Sequence, residues 1–407
     1  MSVPARSPAQ LDGASAAGRL PWPPGSGPRI LVADGWFANA GDGAIVLAMA
    51  RSLERVIPGV RLLFCAPHRR LVERHYPSLT FVDPLADLLA ARPDLAQDAD
   101  AVISKGGGHL FEHYPNEARF GAYGRLAELG VPLAFYAQSV GWWVDPALRA
   151  RLAASLESAR IVVVRDPESA EHIDRMRIRP RATAVTVDEA LMLPIGSTSP
   201  PGPDAGVSLN ALARTPVAGA AEPAPDGLAV RHAEIVERLA ATHPAVRACS
   251  TVQGFSAVSD EIEDDALHHA RVRDLLSSRA AKRFEVIEGF LPPDRLRAAF
   301  RGLDVLVSAR LHAALLAMLE GVPAVYVSSN FKGVSLFRRL GLEHLVVEDS
   351  DPAEVMAALE RARDERASLP RRLAGMRRVA RTNAPLVAEA LGFVRGVGHR
   401  SPRTSRR

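Results

Sequence analysis

From Arg29 onward, short apolar runs alternate with longer segments whose apolar residues recur at helical spacing, and this alternation leaves the chain few possible folds. "RILVAD" (29–34) reads as a strand, and "GAIVLAMARSLERVI" (43–57) as a helix stopped by Pro58-Gly59. The strand-like runs "RLLFCA" (61–66), "DAVISKGGG" (100–108), "PLAFYAQSVG" (132–141), "RIVVVRD" (160–166) and "ATAVTVDEA" (182–190) follow. Between them stand the helical patterns "RFGAYGRLAELG" (119–130), "DPALRARLAASLESA" (145–159) and "DPESAEHIDRM" (166–176). Strands that are apolar on both faces need cover on both faces, so the pattern predicts a parallel sheet wrapped by helices.

The stretch "PIGSTSPPGPDAG" (194–206) is dominated by Pro, Gly and Ser, and then the alternation resumes. The predicted fold is therefore α/β, with two Rossmann-like doubly wound domains facing a cleft, at 29–194 and 207–350. A hinge at 195–206 joins them, and residues 211–227 read as a loop. Helices at 351–394, opened by Asp351-Pro352 and Glu354, are expected to pack back across both domains. A length of 407 residues suits two cores better than one.

The ends carry their own signals. Residues 1–28 are rich in Pro, Ala, Gly and Ser without a continuous apolar segment, and read as a disordered leader. Residues 395–407 hold five arginines and no acid, which exceeds the formal net charge of +4, so the remaining chain is slightly acidic. That basic tail reads as solvated and disordered, with peripheral contact to anionic lipid as its alternative. No basic stripe is interleaved with aromatics, so nucleic acid is not an expected partner. Cys65 and Cys249 form no disulfide framework, and no apolar run reaches the roughly 20 residues of a membrane span. The expected location is the cytoplasm, with the inner face of the membrane in reach of the tail.

Ligands of open parallel sheets bind beyond the carboxyl ends of the strands, so strand-end polar residues are the candidates for chemistry. "DVLVSARLHAALLAMLEG" puts Arg310, Leu311 and His312 where a strand turns into a helix. Arg310 and His312 can project to one side while Leu311 points back to the core, and the helix N-terminus adds free N–H groups. A guanidinium, an imidazole and a helix end suit a phosphate or carboxylate; the plain alternative is a surface arginine and a hydrogen-bonded histidine. "SKGGGH" (104–109) gives Gly106, Gly107 and Gly108, which let backbone approach a ligand or simply make a tight turn, flanked by Lys105 and His109. In "ADGWFANAGDGAI" (33–45), Asn39 and Asp42 open the first helix, where Asp42 reads first as a cap. Arg165 and Asp188 end two further strands, with Asp166 before Pro167 as a helix cap, and Lys332 follows the strand after the Arg310/His312 helix. No metal-ligand spacing and no nucleophile elbow is present, and His268-His269, in a charged helix, are expected to be exposed.

Taken in order, the Asn39–Asp42 loop, "GGG" (106–108), "QSVG" (138–141), "VRDPES" (164–169), "VDEALML" (187–193), "RLH" (310–312) and Lys332 resemble the polysaccharide pyruvyl transferase family over about residues 30–345. The resemblance implies a fold like that of B-type glycosyltransferases, with the first domain on the acceptor side and the second on the donor side. It implies phosphoenolpyruvate as co-substrate with no other cofactor and no metal, and a sugar of a cell-surface polysaccharide, free or lipid-linked, as acceptor. Arg310, Arg165 and Lys332 are then the expected cations for the donor. His312 is the expected general acid, or the group that protonates the departing phosphate, and Asp42 or Asp188 the base. The sequence departs from the family pattern at Gly43, where relatives often have Glu, and at Asn210, where an arginine often stands. A sugar-nucleotide-dependent glycosyltransferase and a non-catalytic glycan-binding relative are the competing readings.

Overall fold

The computed structural model describes residues 20–196, 200–211, 225–253, 264–328, 331–348 and 350–394. The basic tail, residues 1–19 of the leader and most of the expected 211–227 loop lie outside the described residues.

The first half contains β1 (Arg29–Ala33), α1 (Ala40–Val56), β2 (Arg61–Cys65), α2 (Arg69–His75), β3 (Phe81–Val82), α3 (Leu85–Ala91), β4 (Ala101–Ser104) and β5 (Gly107–Leu110). It continues with α4 (Glu117–Glu128), β6 (Leu133–Val140), α5 (Pro146–Ser158), β7 (Ile161–Val164), α6 (Pro167–Arg175) and β8 (Thr183–Val185). Among the described residues these strands make one sheet in the order β3-β2-β1-β4-β6-β7-β8, with β5 paired to β6. The three glycines do not end a strand, as expected, but bend the chain from β4 into the short β5.

The second half contains β9 (Ala205–Ser208), α7 (Pro225–Thr242), β10 (Val246–Ala248), α8 (Asp265–Asp274), α9 (Ser278–Ala281), β11 (Phe284–Val286) and α10 (Pro293–Phe300). After it come β12 (Val305–Ser308), α11 (Leu311–Leu319), β13 (Ala324–Ser328), α12 (Phe331–Leu340) and β14 (Val346–Glu348). Its sheet runs β11-β10-β9-β12-β13-β14. The recorded pairings of both sheets are parallel. Each sheet therefore has a strand, β1 or β9, from which the order departs in both directions, and the ends of β1, β4, β9 and β12 mark where ligands gather.

Local chemistry sets the helix starts. Asp145, Asp166 and Asp351 each accept a first-turn N–H and each precede a proline at N1. α1 is capped by Asn39, whose Oδ1 accepts the Gly41 N–H at 2.8 Å. The cap expected of Asp42 is thus supplied three residues earlier, leaving Asp42 for another partner.

The halves share a core. Ala40, Ala44, Ile45 and Ala48 on α1 belong to one buried cluster with Val187, Ala190, Leu191 and Leu193 and the second half's Leu315, Leu316 and Val325. The connecting stretch is tied down on both sides of its undescribed residues, with Gly196 N–H on Leu319 O at 2.8 Å and Gly202 N–H on Gly302 O at 2.6 Å. β9 already begins at Ala205, inside the stretch expected to be a hinge. Leu20 is buried and Trp22 packs beside it on the first half, although both fall in the expected leader.

After β14 come α13 (Pro352–Glu365), α14 (Leu369–Ala380) and α15 (Asn383–Ala390). α13 buries Val355 and Leu359 in the core shared with the second sheet, whereas α15 buries Val387 and Ala388 against the first. The chain's end thus returns across both halves. Among the described residues, no helix is long and apolar enough to cross a membrane.

Candidate active site

A cleft with about 250 Å³ of empty volume, its open mouth included, is lined by Arg165, Asp166, Asp188, Leu311, Lys332, Leu336 and Arg339. Four of the residues singled out from the sequence meet there: Arg165, Asp188, Leu311 and Lys332. Leu311 lines this space as well as packing on the core, so it does not point wholly inward as expected.

Asp188 is the junction. It is buried, accepts the Ala190 N–H at 2.9 Å, bonds Arg165 Nη1 and lies 3.2 Å from His312 Nε2. Burial alone would raise its pKa, but Arg165 and then His312 hold it well below the usual carboxylate range. An ionised carboxylate can only accept, so His312 donates its Nε2–H to Asp188, and its second nitrogen, Nδ1, lies on the Gly41 side of the ring. The His312 ring lies against Gly41 of α1. A Cβ on Gly41 would stand 2.5 and 2.6 Å from His312 Cγ and Cβ, which only glycine avoids.

Arg165 leaves β7 almost fully buried and donates through Nε to Ser139 at 2.8 Å, so Nε and Nη1 are both held while Nη2 faces Gly108. Lys332, in the first turn of α12, places Nζ 4.5 Å above the Phe111 ring. A Cβ at Gly108 would stand 2.7 Å from Lys332 Nζ and 3.3 Å from Arg165 Nη2, so that glycine keeps the space between the two cations open. Burial and then Arg165 pull the Lys332 pKa down to about 8. Arg310 also lowers it, but does not line the cleft itself; its guanidinium turns to Asp265.

Asp42 accepts from Lys105 Nζ at 2.6 Å, and Lys105 is 1% exposed. A Cβ on Gly107 would meet Lys105 Nζ at 3.0 Å and Asp42 Oδ1 at 3.3 Å, and the φ of +142° there also favours glycine. Gly106 packs on β6, where its Cβ would stand 3.0 Å from Tyr136 O.

Sequence reasoning missed a second polar network at the ends of β1 and β4. Asp34, at φ 68°, accepts from Arg119 Nε at 2.8 Å, from Ser104 Oγ at 2.7 Å and from the Tyr123 hydroxyl. Burial opposes its ionisation, yet Arg119 and the hydrogen bonds from Tyr123 and Ser104 bring its pKa down to about 2. His109, 3.6 Å from Asp34, is kept neutral chiefly by burial. The only sequence signal was position, since Asp34 ends the run "RILVAD" and Ser104 ends the next strand of the sheet.

One further expectation changes. His268 and His269 are buried, not exposed: the N-terminal half of α8 turns inward, where His268 meets His232 at 2.7 Å and His269 accepts the Leu209 N–H at 3.1 Å. The departure at Gly43 has a physical reason. Any Cβ there would run into Tyr76, standing 2.8 Å from its Cε1, so the tyrosine occupies the space of the missing side chain. Asn210 is buried beyond β9, and nothing in the structure explains the change there.

The model of the family described as polysaccharide pyruvyl transferase matches residues 39–330. No curated protein sequence matches the chain. Among solved structures, S. aureus MnaA with UDP superposes with a TM-score of 0.56 at 10% identity, covering 90% of this chain and 98% of that one. The UDP-GlcNAc 2-epimerase of Neisseria meningitidis, bound to UDP-GlcNAc, gives 0.52 at 12% identity over 90% and 98%. The UDP-GlcNAc 2-epimerase of Methanocaldococcus jannaschii gives 0.51 at 9% identity over 83% and 92%. Identities this low speak for the fold alone: two Rossmann-like domains around a cleft, as in B-type glycosyltransferases.

Proposed function

The chain belongs to the polysaccharide pyruvyl transferase family, and from that premise we propose that it transfers the pyruvyl group of phosphoenolpyruvate to two hydroxyls of one sugar. The sugar belongs to a cell-surface polysaccharide or its precursor, free or lipid-linked, and the products are a pyruvate ketal and inorganic phosphate. The observation that carries the reading is the meeting of Arg165 and His312 on Asp188, with Lys332 across the cleft.

Phosphoenolpyruvate brings a carboxylate and a phosphate, for which Arg165, Lys332 and Arg310 supply positive charge. His312, entering as the imidazolium with its Nε2–H held by Asp188, delivers its other ring proton to the methylene carbon. C2 becomes electrophilic, and one sugar hydroxyl attacks it and gives its proton to Asp42. Phosphate then leaves C2 taking the proton held on Asp42, the second hydroxyl closes the ring, and its proton returns to His312, so both groups are restored. Asp188, locked between Arg165 and His312, orients the histidine, which leaves Asp42 as the base. Reaction on the cytoplasmic side fits the two buried free thiols.

The test is incubation of the pure protein with phosphoenolpyruvate and candidate glycosides. The acceptor should gain the mass of pyruvic acid less one water, with one phosphate released, and His312→Asn should lose at least about 10³-fold in kcat with an unchanged Tm. The fold shared with UDP-binding enzymes makes nucleotide sugars the comparison ligands. A Tm raised by a UDP-sugar but not by phosphoenolpyruvate would replace this reading with glycosyl transfer.

A further inference from the structure

Arg310 is held by a carboxylate that neither the motif nor the spacing points to. Asp265, the first residue of α8, is wholly buried. Its Oδ1 accepts from Arg310 Nε at 3.0 Å and Nη2 at 2.7 Å, and its Oδ2 accepts the N–H groups of Thr251 and Val252, each at 2.9 Å. Four donors on one carboxylate fix the guanidinium plane as well as its distance. The backbone of Arg310 is fixed too, because Ser308 Oγ accepts its N–H at 3.1 Å and donates to its carbonyl at 2.7 Å.

The other side of the same carboxylate reaches the first half of the molecule. Thr251 O accepts the Ala40 N–H at 2.8 Å, the Gln253 N–H reaches Ala38 O at 3.2 Å, and Asn39 and Val252 form an antiparallel bridge. Those residues lead directly into Gly41, under His312, and Asp42, on Lys105. Asp265 therefore sits between a donor-side cation and the backbone strap joining the two halves at the cleft.

Building on the proposed function, we infer that Asp265 is a positioning residue: it presents Arg310 to the phosphoenolpyruvate anion and ties that presentation to the strap 38–40/251–253. Asp265→Asn separates these duties. The amide oxygen can still accept from Thr251 and Val252, while the amide nitrogen repels the guanidinium it replaces a partner for. The KM for phosphoenolpyruvate should rise about tenfold or more, with kcat and the KM for the acceptor little changed. Because the effect passes through Arg310, adding Asp265→Asn to Arg310→Lys should cost much less than Asp265→Asn alone.

The experiment measures KM and kcat for both substrates in the wild type, the two single variants and the double variant, together with Tm. An unchanged KM for phosphoenolpyruvate in a folded Asp265→Asn, or fully additive losses in the double variant, overturns the positioning role. A wild type that does not use phosphoenolpyruvate overturns the proposed function instead. The pairing is then judged by Tm, which should fall in Arg310→Ala, where a buried carboxylate is stranded, and recover when Asp265→Asn is added. A Tm that does not move in Arg310→Ala would remove the pairing itself.

Discussion

Lys332 is the cation of the cleft whose charge is least secure. Its ammonium is held to a pKa of about 8, first by burial and then by Arg165, against about 10.4 for a free lysine. As pH rises through 8 the free enzyme loses a positive charge where an anion must bind, so kcat/KM for phosphoenolpyruvate should fall above that pH. Lys332→Arg, which stays charged, should show a lower but level profile up to about pH 9. A wild-type profile flat across pH 8 would show that the Lys332 charge is not needed. Arg165, His312 and Lys332 were legible in the sequence because each stands where a buried strand ends, and such positions face the cleft. Asp265 and Asp34 were not. Their partners are 45 and 85 residues away, and pairings through space leave no periodicity for a sequence to display.

At the scale of elements, the first turn of α1 carries more than its own helix. Asn39 caps it, Gly41 gives His312 its place, and Asp42 meets Lys105. Alanine in place of glycine favours a helix by up to about 1 kcal/mol, so helix propensity alone predicts that Gly41→Ala stabilises the protein. The structure predicts the reverse for activity. The new methyl group must displace the His312 ring from its Cβ outward, and a misplacement near 1 Å costs about 10²-fold in rate. Single-turnover measurements should show that loss in the chemical step with phosphoenolpyruvate binding retained, and an unimpaired rate would mean that His312 does not work from this position. The strands and long helices were legible because apolar runs and helical periods reflect burial directly. The short 3-10 helix Glu189–Met192 was not, since "VDEALML" reads equally well as the end of a strand. Strand order was also silent, being decided by which faces pack and not by any one segment.

The whole molecule is pinned where three distant parts of the chain meet a single buried acid. Glu189 Oε1 accepts from Ser52 of α1 at 2.6 Å, and Oε2 accepts from Asn383 of α15 at 2.7 Å, beside the core shared by both halves. Burial is the main cause that lifts its pKa from 4.5 to about 7, against the hydrogen bonds that favour the ionised form. The native state therefore keeps this proton between about pH 4.5 and pH 7 while the unfolded chain has lost it. Over that window the native state binds more protons, so stability must decrease as pH rises, by about 3 kcal/mol in total. Glu189→Gln, which does not titrate, should lack this component. Urea unfolding of both proteins from pH 4.5 to 7.5 should show the variant gaining on the wild type by that amount across the window. Parallel curves would mean that the carboxyl titrates normally and that the junction of α1, α15 and the Glu189 turn is open to water.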